Sequence, residues 1–374
     1  MRPAMNQKTP SPRLVSLDAF RGATIAAMIL VNHPGDHQNT YWPLLHVAWD
    51  GWTPTDLVFP FFLFIVGMAL TFSTRLEARP ALVRAAKLFG LGLLLNAFPW
   101  FDLAGLRVPG VLQRIAICYL AAWAAKRWLS VRGQALLAAA LVGGYWLAMT
   151  RLVGPEGHAP NLEMTTNLAA QVDRVFLTGH MWRWTLTWDP EGVLSTFPAI
   201  ATALLGLVAG EWLRASRAPF TKTVGFLAAG AALSLAAVWW GEWAPAGVLF
   251  PINKSLWSPS FVLLTAGLGA ALFGLTYWLV DVEGWRRSAA PFVTFGKNAI
   301  ALYVGSELVG RTLSVIAWGV GPDGGPFSLV GRTTALFGRW LPATAASLAF
   351  ALATVLLWYC VARAMDRRGI YVKV

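Results

Sequence analysis

Apolar runs long enough to cross a lipid bilayer recur from one end of this chain to the other, and no other feature restricts its fold as tightly. A membrane helix needs about 20 residues to span roughly 30 Å of hydrocarbon. Runs of that order occupy residues 15–33, 54–74, 84–100, 109–126, 133–150, 193–213, 222–240, 258–280, 291–312 and 343–362. In hydrocarbon each backbone N–H and C=O must find its partner within the segment, so such runs fold as helices. Composition agrees, since 56% of the residues are hydrophobic and only 13% charged, a balance unsuited to a water-soluble domain of this size. The expected fold is all-α, a polytopic integral membrane protein with about ten transmembrane helices, forming one domain over residues 1–374. Residues 313–342, which contain GVGPDGGPF, fit a loop or a re-entrant piece.

The cations set the orientation. They collect in alternate loops: Arg2, Lys8 and Arg13; Arg75, Arg79, Arg84 and Lys87; Lys126, Arg127 and Arg132; Arg214, Arg217 and Lys222; Arg286 and Arg287; Arg363, Arg367, Arg368 and Lys373. Positive-inside bias places these loops, and both termini, in the cytosol. The same bias, with contact to anionic lipid, accounts for the net charge of +12 without a nucleic-acid partner. Cys118 and Cys360 fall inside expected spans and suggest neither a disulfide framework nor a metal cluster. Met1–Arg13 is polar and the first apolar run follows with no small-residue cleavage site, so that helix is expected to remain as a signal anchor. The longest external loop, 151–192, ends in the aromatic and acidic segment MWRWTLTWDPEG and can cap a site from outside.

Ionisable groups within the apolar runs point to function, because placing them against lipid is costly. Asp18, Arg21 and Asn32 in the first span are three and eleven residues apart, which at about 100° per residue puts them within roughly 60° of one another on a helix. A stripe of that kind lines a bundle interior or a water-accessible tunnel, although Asp18 and Arg21 alone also fit a simple pair at the helix start. Asp56 opens the second span, and Gln113-Arg114 enters the fourth after the turn VPG. An Asp56–Arg114 pair is expected, either purely structural or as a network that orients His46. His46 itself leads the segment HVAWDGWTPTDLVFPFFLF, so a proton-transfer residue stands at the mouth of a span.

The runs RLVSLDAFRGATIAAMILVN, HVAWDGWTPTDLVFPFFLFIVG, RVPGVLQRI, WDPEGVLST, PINKSLWSPSFV and FGKNAIALYVGSE, in that order from Arg13 to Glu307, resemble the heparan-α-glucosaminide N-acetyltransferase family and its bacterial relatives. The resemblance implies transfer of the acetyl group of cytosolic acetyl-CoA to the amine of a terminal glucosamine across the membrane, with His46 as the catalytic histidine, Asn32 as its partner, and a homodimer. Lysosomal targeting is not expected. His33-Pro34 and Asp50 depart from the lysosomal members and bear on the acceptor. The Arg-rich, Lys-poor composition suits a bacterial inner membrane and an amino sugar or its oligomer as acceptor.

The chemistry follows from the residue types. An amine attacking a thioester must lose a proton, and an imidazole accepts one near neutral pH. The Asn32 amide suits an acetyl carbonyl that becomes an oxyanion. Direct transfer and a two-step route through an acetyl-imidazole both remain open. Arg21, Arg75, Lys297 and Asn298 are candidates for the CoA phosphates at the cytosolic mouth. Asp189, Glu191 and Lys254 are candidates for the polar groups of the acceptor, and Trp49, Trp188 and Trp257 for its sugar ring. No metal is implied. Two other classes stay open: a transporter of a sugar or anionic solute, given polar groups at mid-membrane, and a membrane O-acyltransferase. Against the latter, the residue eleven beyond Arg21 is Asn32, with His33 one further.

Overall fold

The computed structural model describes residues 14–73, 76–320 and 326–372. The N-terminal Met1–Arg13 and the donor candidate Arg75 lie outside the described residues. The helices are α1 (Val15–Asn32), α2 (Val58–Thr71), α3 (Ala78–Ala97), α4 (Val111–Trp128), α5 (Val131–Arg151), α6 (Leu168–Leu177), α7 (Thr196–Arg214), α8 (Pro219–Val238), α9 (Pro259–Tyr277), α10 (Arg286–Lys297), α11 (Ala299–Val315), α12 (Leu329–Phe337) and α13 (Ala343–Arg367). Local chemistry sets many of the starts. Ser130, Asn167, Ser258 and Ser328 each accept a backbone N–H three residues on, satisfying one of the donors that a helix leaves open at its first turn. Pro219 and Pro259 open α8 and α9, where the missing N–H costs nothing.

Eight helices among the described residues are long and apolar enough to cross a membrane, and the chain is a multi-pass membrane protein. Two of the ten expected spans differ in character from these eight. α4 forms where the fourth span was expected and carries Arg114 near its start and Lys126-Arg127 near its end. The expected ninth span, 291–312, is broken at Asn298 into α10 and α11. Asn298 leaves helical geometry (φ −125°, ψ 31°), and its amide donates to the Ile370 carbonyl at 3.0 Å and accepts from Val372 N–H at 2.9 Å. A side-chain amide that bonds backbone elsewhere competes with the helix ladder. The third helix also begins earlier than expected, at Ala78, with Arg79, Arg84 and Lys87 inside it. Within 313–342 the chain forms a two-stranded antiparallel hairpin, β1 (Ala317–Val320) and β2 (Pro326–Ser328), followed by α12.

Loops gather at two ends. At one end Gly51 N–H donates to Ile252 O, Val108 N–H to His180 O, and Gly35 N–H to Ser347 O, joining the segments after α1, α3, α6 and α8 with the start of α13. At the other, Asp281 accepts from the backbone N–H groups of Val15 and Ser16, and Lys297 pairs with Asp366. The first end carries His46, Asp56, Arg107 and Lys254.

α2 is the central helix, with 83% of its span buried. It meets α7 with backbone against backbone: a Cβ on Gly67 would lie 1.9 Å from Ala203 O, and one on Gly206 would lie 2.0 Å from Phe64 O. Contacts between small residues of this kind let membrane helices pack at close range. α1 meets α10 in the same way, with Gly22 against the Phe292 carbonyl and Gly296 against the Asp18 carbonyl.

Gly206→Ala is expected to lower stability by about 1–3 kcal/mol through overpacking, seen as a lower unfolding temperature in detergent. Gly143→Ala in α5, where a Cβ meets nothing within 4 Å, is expected to leave it unchanged or to raise it through better helix propensity.

Candidate active site

His46 lies in the loop between α1 and α2, and its ring is aimed by a carboxylate buried at the start of the next helix. Pro54–Leu57 forms a 3-10 turn leading into α2, closed by a reciprocal cap: Thr53 and Asp56 each hold the other's backbone N–H. One oxygen of Asp56 takes the Thr53 N–H at 3.0 Å and the Val47 N–H at 3.3 Å. The other takes His46 Nδ1 at 2.6 Å and lies 3.3 Å from Lys254 Nζ. The Asp56 side chain is 0% exposed while that of His46 is 52% exposed, so the carboxylate is spent on orientation and the ring faces outward. A carboxylate on Nδ1 fixes the hydrogen there and leaves Nε2 as the basic nitrogen.

Lys254 completes this cluster, its Nζ 2.9 Å from His46 Nδ1 and 3.3 Å from Nε2; with the Nδ1 hydrogen turned to Asp56, Nε2 is the only ring nitrogen that can accept from the ammonium. Burial pushes its ammonium below the usual lysine range, opposed by the charges of Asp56 and Glu191. Its loop is tied down by Asn253, which donates to Asp50 at 3.2 Å and caps Leu256 N–H at 2.8 Å. Lys254, expected among the acceptor-binding residues, thus stands beside the histidine.

The expected Asp56–Arg114 pair does not form. Arg114 is buried and donates instead to Pro190 O at 3.0 Å, Gly192 O at 3.1 Å and Ser195 Oγ at 2.6 Å, bracing the segment WDPEG from beneath. Asp189 and Glu191, expected as free anchors for a cationic amine, are held by Arg107, which meets Asp189 at 2.8 and 2.6 Å and Glu191 at 2.5 Å. Burial pushes the Glu191 carboxyl up, but Arg107, Arg114 and Lys254 outweigh it and hold it below the ordinary value. Asp173 on α6 anchors the same segment through the Asp189 and Val193 N–H groups, and burial pushes its carboxyl up to about 6.

Asn32 ends α1 and donates to Glu307 on α11 at 2.9 Å, not to His46. At the inner end of the same helix Asp18 and Arg21 pair, and Arg21 Nε donates to Gly296 O on α10 at 2.9 Å. The polar stripe of α1 therefore faces the two halves of the broken helix. Tyr303 of α11 is buried one turn before Glu307. An apolar crevice runs beside it between α1, α2, α4 and α11, lined by Ile25, Met28, Phe62, Ile115, Ile300 and Tyr303.

The remaining expected site residues sort by burial and partners. Trp257 is 1% exposed, packed between Phe59 and Phe261 with its Nε1 on Thr202, and cannot stack on a sugar. Trp49 and Trp188 meet edge to face at 5.3 Å, and Trp49 Nε1 donates to Leu162 O in the long loop. Gln113 is buried against Gly92 and Gly110, away from the histidine, with Nε2 lacking a partner among the described residues. Lys297 is bound to both oxygens of Asp366 at 2.7 and 2.8 Å, and Asn298 to the Ile370–Val372 backbone.

The family model described as "Heparan-alpha-glucosaminide N-acetyltransferase, catalytic" matches residues 13–238. The chain belongs to this family. It is 31% identical over 364 residues to the heparan-alpha-glucosaminide N-acetyltransferase of Homo sapiens, covering 79% of this chain and 53% of that protein. To the enzyme of the same name from Mus musculus it is 27% identical over 370 residues, covering 81% and 54%. The chain spans about half the length of these curated relatives.

Within this family member, sequence reasoning missed Arg107, Ser195 and Glu307 as parts of the site. Arg107 had a signal, since an arginine before VPG and the acidic WDPEG both lie in external loops. Asp56→Asn is expected to cost about 3 kcal/mol by leaving the Lys254 ammonium without its buried carboxylate. The double variant Asp56→Asn/Lys254→Met is expected to recover more than half of that loss in detergent unfolding, as coupled neighbours do.

Proposed function

We propose that the chain is a transmembrane N-acetyltransferase that moves the acetyl group of acetyl-CoA to the amine of a glucosamine-type sugar at the outer end of the bundle. The observation that carries this reading is His46, held at Nδ1 by the buried Asp56 with its ring half exposed. In direct transfer the amine nitrogen attacks the acetyl carbonyl carbon, its proton passes to His46 Nε2, and the C–S bond breaks to release the CoA thiolate. In the two-step variant Nε2 itself carries the acetyl group before the amine takes it. Asn32 uses one amide hydrogen on Glu307, which leaves the second for the carbonyl oxygen as it gains charge.

The donor is assigned to the opposite end of the bundle, which the positive-inside rule places in the cytosol. There Arg21, Lys297 and Asn298 are the phosphate candidates, and binding at Lys297 requires it to exchange Asp366 for phosphate. The apolar crevice beside Tyr303 is closed to anything larger than a water, so the pantetheine arm would have to part the helices that line it. Trp49 and Trp188 rim the outer site, where an edge-to-face pair offers an aromatic surface to a pyranose ring. A homodimer in a bacterial inner membrane completes the proposal.

Purified protein in liposomes, given labelled acetyl-CoA and short glucosamine oligomers, is expected to form N-acetyl product. His46→Ala is expected to lower kcat by about 10²–10⁴-fold with little change in the KM for acetyl-CoA. Activity that survives in His46→Ala would remove this residue as base or carrier. A wild-type protein that binds acetyl-CoA and acetylates no amine would overturn the acceptor class.

A further inference from the structure

His33 closes α1 and faces two carbonyl groups at once. Its Nδ1 lies 3.0 Å from Ile29 O, one turn back on α1, and its Nε2 lies 2.9 Å from Ser306 O on α11. A carbonyl oxygen only accepts, so each bond needs a hydrogen on the ring nitrogen that faces it. A neutral imidazole carries one N–H and sets its remaining lone pair against the second carbonyl; the imidazolium carries two. The ring is seated tightly on α11: a Cβ on Gly310 would lie 2.5 Å from both its Cδ2 and its Nε2. On each side the adjacent residues in sequence are Asn32 and Glu307, which are themselves bonded at 2.9 Å.

We propose that His33 is a positioning residue, a protonation-dependent clamp that fixes the end of α1 to α11 and so sets Asn32 against Glu307. Protonated, it ties the two helices through Ile29 O and Ser306 O. Neutral, it gives up one of these bonds and turns an attraction into a repulsion between lone pairs. Acidification that protonates the ring therefore tightens the joint, because only the imidazolium can donate to both carbonyls. The charged groups next in sequence to the residues it joins are Glu307 and Arg311 on α11, 3.8 Å apart, and Asp36 in the loop that follows, whose carboxylate is engaged by Gln38 N–H and Asn39. The clamp stands on this geometry alone. Its consequence for transfer rests on the role given to Asn32 above.

Hydrogen–deuterium exchange on the full chain in nanodiscs, with protection corrected for intrinsic exchange, tests the clamp without any activity assay. Peptides covering 29–36 and 303–311 are expected to gain about fivefold in protection between pH 7.5 and 5.5, the effect of one hydrogen bond. His33→Gln is expected to abolish this response, while Asp36→Asn and Glu307→Gln retain it. A flat wild-type response, or one that persists in His33→Gln, overturns the proposal, and loss only in Glu307→Gln or Asp36→Asn assigns the titration to that carboxylate instead. In the transfer assay His33→Gln is expected to change the pH profile of kcat with the KM for acetyl-CoA unaltered. A clamp seen by exchange with no such change would separate the joint from the role of Asn32.

Discussion

A fully buried carboxylate at the mouth of the central helix must be neutralised, and Asp56 organises its end of the helix bundle around that requirement. Its two oxygens collect the Thr53 and Val47 N–H groups on one side, and His46 and Lys254 on the other. The 46–56 loop and the loop that carries Lys254 are thereby brought to one point. Uncompensated, the charge would cost several kcal/mol in so dry a setting. Compensated, it holds an imidazole at one nitrogen and presents the other to the outside. The Arg107 cluster repeats the logic nearby, where one guanidinium neutralises Asp189 and Glu191 and Arg114 secures the loop that carries them.

The long apolar runs made the helical fold legible, because bilayer thickness dictates both length and composition. What escaped was local. The break at Asn298 depends on backbone groups of Ile370 and Val372 that lie far away in sequence, and no periodicity within 291–312 reveals it. At the site, His46 and Asp56 were legible from their placement against an apolar run. Their pairing was not, since Arg114 offered an equally plausible counterion until the WDPEG segment was seen to occupy it. Trp257 shows the same limit: a tryptophan beside a polar loop reads as a binding surface, yet tertiary packing buries it.

The departures from the expected site follow from partners. Residues proposed as free ligands, Asp189, Glu191, Lys297 and Asn298, are each engaged within the chain. In a low-dielectric bundle an unpartnered ionic group is costly, so those that remain are either paired or able to exchange one partner for another. That constraint distinguishes the two ends. The outer cluster is preassembled around His46, whereas at the inner end Lys297 is shared with Asp366 and must trade partners before it can hold an external anion.

The glycine contacts carry a mechanical consequence. Where Gly67 and Gly206 bring α2 and α7 together, and Gly22 and Gly296 bring α1 and α10 together, backbone touches backbone without intervening side chains. Neither pair can slide along its own contact without collision, so each moves as one rigid body. Ile25 and Met28 belong to the first helix of one pair and Phe62 to the central helix of the other, and the crevice lies between them. α4 and α11 close its other walls, so widening it would mean parting helices whose backbones are already fixed in pairs.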